Sequence, residues 1–132
     1  MDTAERPDLT GLQFIVVEDE FLIGRALCDE LEALGADIIG FHGNLASATH
    51  CITGASHVDG AIVDFNLAGV SSTPIIDMLM SRGITPILCT GYDVENIEAR
   101  FRHLPRCLKP LTRAVLHRQL AAITVKGTTL GG

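Results

Sequence analysis

No run of apolar residues in this chain approaches the roughly 20 that a membrane helix needs, so a helical membrane protein is excluded. Basic residues are scarce: 10 Lys and Arg stand against 16 Asp and Glu, giving a formal net charge of -6. Non-specific nucleic-acid binding rests on phosphate neutralisation by Lys and Arg, so that class is disfavoured. No C-x-x-C pair occurs among Cys28, Cys51, Cys89 and Cys107. Zinc and disulfide frameworks use tighter spacings, and these thiols are expected in the core of a protein from a reducing compartment. No two of His42, His50, His57, His103 and His117 have H-x-x-x-H spacing, and they read as surface or boundary residues rather than ligands. There is no internal repeat and no linker. With 132 residues and 47% hydrophobic content, the chain suits one globular domain. Met1 to Thr10 is polar, with Asp2, Glu5 and Asp8, which does not fit a signal peptide and leaves the cytoplasm as the expected location.

What is present is an alternation of short apolar runs and amphipathic stretches. Residues 1–11 read as a flexible leader, residues 12–125 as the domain and residues 126–132 as a flexible tail, with Pro7 and Gly11 as breakers. Gln13 to Val17 is the first strand candidate. A helix follows from about Phe21 to Leu34, with Ile23, Leu27, Leu31 and Leu34 on one face and Gly35 as its stop. Ala36 to Phe41 is the second strand, and Asn44 caps a second helix to about Thr53. Asp59 to Val63 is the third strand, followed after Asp64 by a Gly- and Ser-rich loop. Thr73 then caps a helix opened by Pro74 and ended by Gly83. Thr85 to Cys89 is the fourth strand. A short helix with a thin stripe (Val94, Ile97, Phe101) runs to about His103. Pro105 to Leu108 is the fifth strand, and a last helix spans about Thr112 to Val125. The strands are continuously apolar rather than alternating, as in a parallel sheet covered on both faces. The fold expected is a doubly wound α/β, flavodoxin-like (βα)5 sheet with strand order 2-1-3-4-5.

In that fold the carboxyl ends of strands one, three, four and five meet at one edge. They carry Glu18 and Asp19, then Asp64, Thr90 and Lys109. Each has an unremarkable reading alone: a solvated loop start, a turn, the start of a helix. Together they form a crevice of three acids, a hydroxyl and an ammonium. Crowded carboxylates raise one another's pKa unless a cation is near. Mg2+ answers that need, because it takes oxygen ligands and keeps waters that a phosphate can replace. Lys109 offers a point charge to phosphate oxygens or to Asp64, and Asp64 is placed as the nucleophile of a phosphoryl transfer.

The constellation resembles the receiver domain of two-component response regulators, from about Gln13 to Ile123. The residues that carry it are Val16-Val17-Glu18-Asp19-Glu20, Asp64 in Val63-Asp64-Phe65-Asn66-Leu67, Thr90, and Lys109-Pro110. The resemblance implies transfer of a phosphoryl group from a sensor kinase histidine onto Asp64, with Mg2+ required. It implies that Asp19, Asp64 and the backbone carbonyl of Asn66 hold the metal, with Glu18 acting mainly through water. Thr90 and Lys109 would engage the phosphoryl oxygens and report them.

Two positions depart from the usual receiver. Gly91-Tyr92 follows the Thr where a small residue is usual, and Arg106 replaces the aromatic switch residue three positions before the Lys. The run Ile87-Leu88-Cys89-Thr90-Gly91-Tyr92 is similar, in part, to the FAT GUY subclass of stand-alone receivers. That implies a kinase of the HWE or a related type and signalling by protein contact or as a phosphate sink, with the downstream protein unidentified. Tyr92 is a candidate shield of the phosphoryl group, and Arg106, Arg113 and Arg118 mark a candidate contact face. Two other classes compete: a Mg2+-dependent phosphatase with an aspartyl-phosphate intermediate, and a binding-only pseudo-receiver. The phosphatase would carry an acid two residues after its nucleophile, where this chain has Asn66. The complete acid set and Lys109 argue against the pseudo-receiver. A flavodoxin is disfavoured because the first strand leads into acids rather than a phosphate-cradling loop.

Overall fold

The computed structural model describes residues 6–91, 97–109 and 111–125. Strands β1 (Gln13–Val17), β2 (Asp37–His42) and β3 (Gly60–Asp64) lie in one sheet. A small hairpin follows, β4 (Asn66–Leu67) against β5 (Val70–Ser71), and then β6 (Pro86–Thr90) and β7 (Arg106–Leu108) complete the sheet. Its order is β2-β1-β3-β6-β7, all parallel, which is the expected 2-1-3-4-5 topology once the hairpin strands are set aside. Helices α1 (Phe21–Ala33), α2 (Leu45–Gly54) and α3 (Thr73–Ser81) provide crossovers between strands of the sheet, and α4 (Arg113–Val125) follows β7.

Alternate residues of each strand enter opposite layers, because successive side chains point to opposite faces. Ile15, Val17, Ala61, Val63 and Leu88 pack with α2 and α3. Phe14, Val16, Ile62, Ile87, Cys89 and Cys107 pack with α1 and α4. Both faces are covered, which explains why the strands read as unbroken apolar runs. Asn44 caps α2, its Oδ1 accepting the Ser47 N–H at 2.9 Å, as expected. The cysteines are free; Cys28, Cys89 and Cys107 are buried and Cys51 is half-buried.

Four expectations need correction. The loop after Asp64 contains the β4–β5 hairpin, with Asn66 opposite Ser71 and a turn in which Ala68 adopts φ 52°. The N-cap of α3 is Ser72, not Thr73. The helix expected over 94–103 begins among residues not described, and the described remainder holds only a 3-10 turn at Ala99–Phe101. Ile97 and Phe101 nevertheless point inward, each 1% exposed. The leader is not loose over its described part. Leu9 is fully buried, and its N–H donates to the Leu34 carbonyl at 2.8 Å. Thr10 packs on Gly35, whose φ of 105° suits glycine, and an added Cβ there would meet the Thr10 backbone N at 2.8 Å. The expected flexible tail, 126–132, lies outside the described residues.

Leu9 contributes like any other core leucine, about 1.5–3 kcal/mol from burial. Replacing it, Leu9→Ala, is expected to lower unfolding free energy by about 2–5 kcal/mol. Urea titration checks this, and an unchanged midpoint would return residues 6–11 to the status of a leader.

Candidate functional site: an acidic crevice closed by a lysine

Glu18 follows β1 directly, and its N–H donates to the His42 carbonyl at 3.0 Å, fixing the backbone as it leaves the sheet. Its side chain is 1% exposed. Oε2 accepts from the Glu20 N–H at 3.1 Å and from Lys109 Nζ at 3.2 Å. Lys109 Nζ is also 3.2 Å from Oε1, an ion-pair distance without hydrogen-bond alignment. Oε1 is therefore buried with no hydrogen-bond partner among the described residues. Asp64 closes β3 and is 5% exposed. Its Oδ2 accepts from Lys109 Nζ at 2.8 Å and its Oδ1 from the Asn66 N–H at 3.0 Å. Asp19 is exposed at the rim. One carboxylate oxygen each of Glu18, Asp19 and Asp64 lies within 4.8 Å of the others.

Lys109 follows β7 and is positioned by its own N–H, which donates to the Thr90 carbonyl at 2.9 Å. Thr90 ends β6 and is 1% exposed. Gly91 is exposed, and Tyr92 lies outside the described residues. Arg106 sits on β7 with Nη1 donating to the Arg102 carbonyl at 2.8 Å, a bond to backbone rather than to the crevice. Arg113, on the candidate contact face, is exposed and pairs with Glu30 at 3.1 Å. His117 is buried, with Nε2 3.6 Å from Glu30, not a surface residue. Glu20 was not singled out from the sequence, yet its carboxylate reaches within 4.0 Å of Lys109 Nζ. The signal was the unbroken string Glu18-Asp19-Glu20.

The electrostatics follow from burial. Desolvation pushes the Glu18 carboxyl up to about 7; the Glu20 amide opposes this, the Asp64 charge adds to it, and Lys109 counters it. Burial alone would lower the Lys109 ammonium, but its hydrogen bonds and attraction to Asp64 and Glu18 win and hold it above the usual lysine range. Cys89 is the register partner of Asp64 on β6. Burial, with Cys107 beside it, raises the Cys89 thiol well above its ordinary value. Burial likewise lifts Cys107 to about 11.

No model of a known protein family matches the chain, and no curated protein does. Solved structures do. SdrG from Sphingomonas melonis Fr1 is 35% identical over 86% of this chain and 96% of its own, with a TM-score of 0.76. A BeF3-activated SdrG, from Pseudomonas melonis Fr1, is 36% identical over 84% of this chain and 94% of its own, with a TM-score of 0.72. The signal receiver domain of a modulated diguanylate cyclase from Desulfovibrio desulfuricans G20 is 28% identical over 86% of this chain and 94% of its own, at a TM-score of 0.74. This chain belongs to the receiver-domain family of response regulators. Its receiver fold carries the family's acidic crevice at the expected strand ends.

The crevice suits a hard divalent cation. All the facing donors are oxygens, and the orphaned Oε1 of Glu18 is a buried acceptor lacking a donor. Glu18, Asp19 and Asp64 could hold the ion, and it would relieve a crowding that Lys109 only partly offsets. Glu18 binds its proton up to about 7 in the folded chain, against an ordinary 4.5. Between those values the folded state carries more protons than the unfolded state, so metal-free stability falls as pH rises through that window. Mg2+ competes with the same proton, so its stabilisation grows over the window. Melting at pH 5.5 and pH 8, with and without Mg2+, is expected to show the larger Mg2+-induced rise at pH 8. Glu18→Gln should flatten both trends.

Proposed function

We propose that the protein is a response regulator whose receiver domain accepts a phosphoryl group on Asp64 from a sensor histidine kinase in the cytoplasm. The observation that carries this reading is the contact of Asp64 Oδ2 with Lys109 Nζ at 2.8 Å inside a cluster of three carboxylates. An Asp64 oxygen attacks the phosphorus of a phosphohistidine. The P–O bond forms as the P–N bond breaks, and the electron pair returns to the imidazole nitrogen, which takes up a proton. Lys109 is positioned to exchange its bond to Asp64 for one to a phosphoryl oxygen, and Thr90, beside it on β6, supplies the second contact. Mg2+ would be held by Glu18, Asp19, Asp64 and the Asn66 carbonyl, and would neutralise the charge on the phosphoryl oxygens. Glu18, 1% exposed behind the other two acids, would act on the ion mainly through water, as the resemblance implies.

Asn66 speaks against a phosphatase. Its Oδ1 accepts the Gly69 N–H at 2.7 Å, so the side chain is committed to the hairpin turn and has no acid to offer. SdrG, which adopts a BeF3-activated conformation, supports the switch over a binding-only pseudo-receiver. The added group brings roughly -1.5 to -2 of charge, which Lys109 and Thr90 must accommodate by moving. Partner choice follows charge. From Ala99 to Gly132 the sequence has seven Lys and Arg and no Asp or Glu. Arg102, Arg106 and Arg118 have no carboxylate partner among the described residues, whereas Arg100 and Arg113 do. This face is the one we assign to an acidic protein partner downstream. The kinase is placed in the HWE or a related class on the Thr90-Gly91-Tyr92 pattern alone.

Labelling with a small-molecule phosphodonor or a phosphorylated kinase should be Mg2+-dependent and should vanish in Asp64→Asn. Undiminished labelling of that variant would exclude Asp64 as acceptor.

A further inference from the structure

The 3-10 turn at Ala99–Phe101 is tied to α3 by four side chains. Thr73 and Asp77 lie one turn apart on α3, on the same face. Glu98 and Arg100 flank Ala99 at the 3-10 turn. The Arg100 guanidinium makes two N–H bonds to the two oxygens of Asp77, one of them at 3.1 Å, in a fork-to-fork arrangement. Its Nε donates to Glu98 Oε1 at 2.9 Å. The other Glu98 oxygen accepts the Thr73 hydroxyl at 3.3 Å. Arg100 also lies over the Phe101 ring, 4.2 Å from its centroid, while Phe101 is buried in the layer that holds Ile76 and Leu79 of α3. Hydroxyl, carboxylate, guanidinium and second carboxylate thus form a continuous chain that begins and ends on α3.

This chain connects with the phosphoacceptor loop. The Asn66 N–H donates to Asp64 Oδ1, Asn66 pairs with Ser71 across the hairpin, and Ser71 Oγ lies 2.7 Å from Thr73 Oγ1. At its other end, Glu98 stands eight residues after Thr90 in the sequence. The hairpin after Asp64 and the 3-10 turn at Ala99–Phe101 therefore meet in the same four side chains. The clamp residues Arg100, Asp77 and Glu98 have side chains 53%, 47% and 50% exposed. Ion pairs so exposed contribute little to global stability. They suit a bond that is broken and remade.

We propose that Thr73, Asp77, Glu98 and Arg100 form a clamp that favours the unphosphorylated arrangement and opens when Asp64 is phosphorylated. The four are positioning residues: they touch no reacting atom and act through the placement of the hairpin that follows Asp64. The proposal rests on Asp64 as phosphoacceptor. A weakened clamp raises the share of molecules already in the binding-competent state, and apparent affinity for a phosphoryl mimic rises with that share.

Beryllofluoride titration in Mg2+ provides the test. Asp77→Ala and Arg100→Ala are each expected to bind roughly two- to fivefold more tightly than wild type, the range an exposed ion pair allows. The double variant should bind no more tightly than Arg100→Ala, because that single change already removes the bonds to Asp77. Thr73→Val should also bind more tightly, and Thr73→Ser should return to wild-type affinity because it keeps the hydroxyl. Equal or weaker binding by the single variants, or additive effects in the double, overturns the clamp. A wild-type protein that fails to bind beryllofluoride overturns the phosphoacceptor reading and the clamp together, whereas wild-type binding with indifferent variants overturns the clamp alone.

Discussion

Everything in this molecule's working edge depends on one ammonium group between two buried carboxylates. Glu18 and Asp64 end neighbouring parallel strands, so the sheet brings their charges together regardless of the energetic cost. A carboxylate removed from water is destabilised by desolvation, and a second beside it adds repulsion. Lys109 offsets both from across the crevice, reaching Asp64 at 2.8 Å and Glu18 at 3.2 Å. One cation facing three acids leaves the balance incomplete, and Glu18 Oε1 is where the deficit is visible. The crevice is electrostatically prepared for a further positive group before any arrives.

The rest of the fold serves to keep that arrangement from relaxing. The Lys109 backbone is held in place, because its N–H donates to the Thr90 carbonyl and the strand before it pairs with β6. Asp64 is pinned by Asn66 behind it. Two layers of close-packed aliphatic side chains hold the strand ends in register, and such interiors do not deform continuously. Change is left to the polar periphery: the hairpin, the 3-10 turn at Ala99–Phe101 and the side chains that bridge them. A rigid sheet with adjustable loops at its carboxyl edge can register a small charge event and pass it to a distant surface.

Much of this was legible in the residue order because burial on both faces imposes its own pattern. Five uninterrupted apolar runs gave five strands in the right order, and the acids, Thr90 and Lys109 marked their ends. Where reading failed, the local signal was too short. Leu9 is a single apolar residue between Pro7 and Gly11, and one residue has no periodicity. The β4–β5 hairpin has two residues per strand, and its Gly and Ser look like any loop. Ile97 and Phe101 have helical spacing, but a 3-10 turn buries them equally well. Glu98 and Arg100 carried no motif at all; their partners on α3 are more than 20 residues away, and only the fold brings them together.

The cysteines beside the crevice have a consequence for which ions can compete there. Cys89 pairs in register with Asp64, so both side chains leave the same face of the sheet, Cys89 into the layer that holds Cys107, and burial suppresses ionisation of both thiols. A soft metal such as zinc or copper prefers thiolate, and these thiols remain protonated under the sheet. Selectivity against such ions thus comes partly from desolvation, which keeps the sulfur next to Asp64 neutral and leaves oxygen as the charged donor of the crevice.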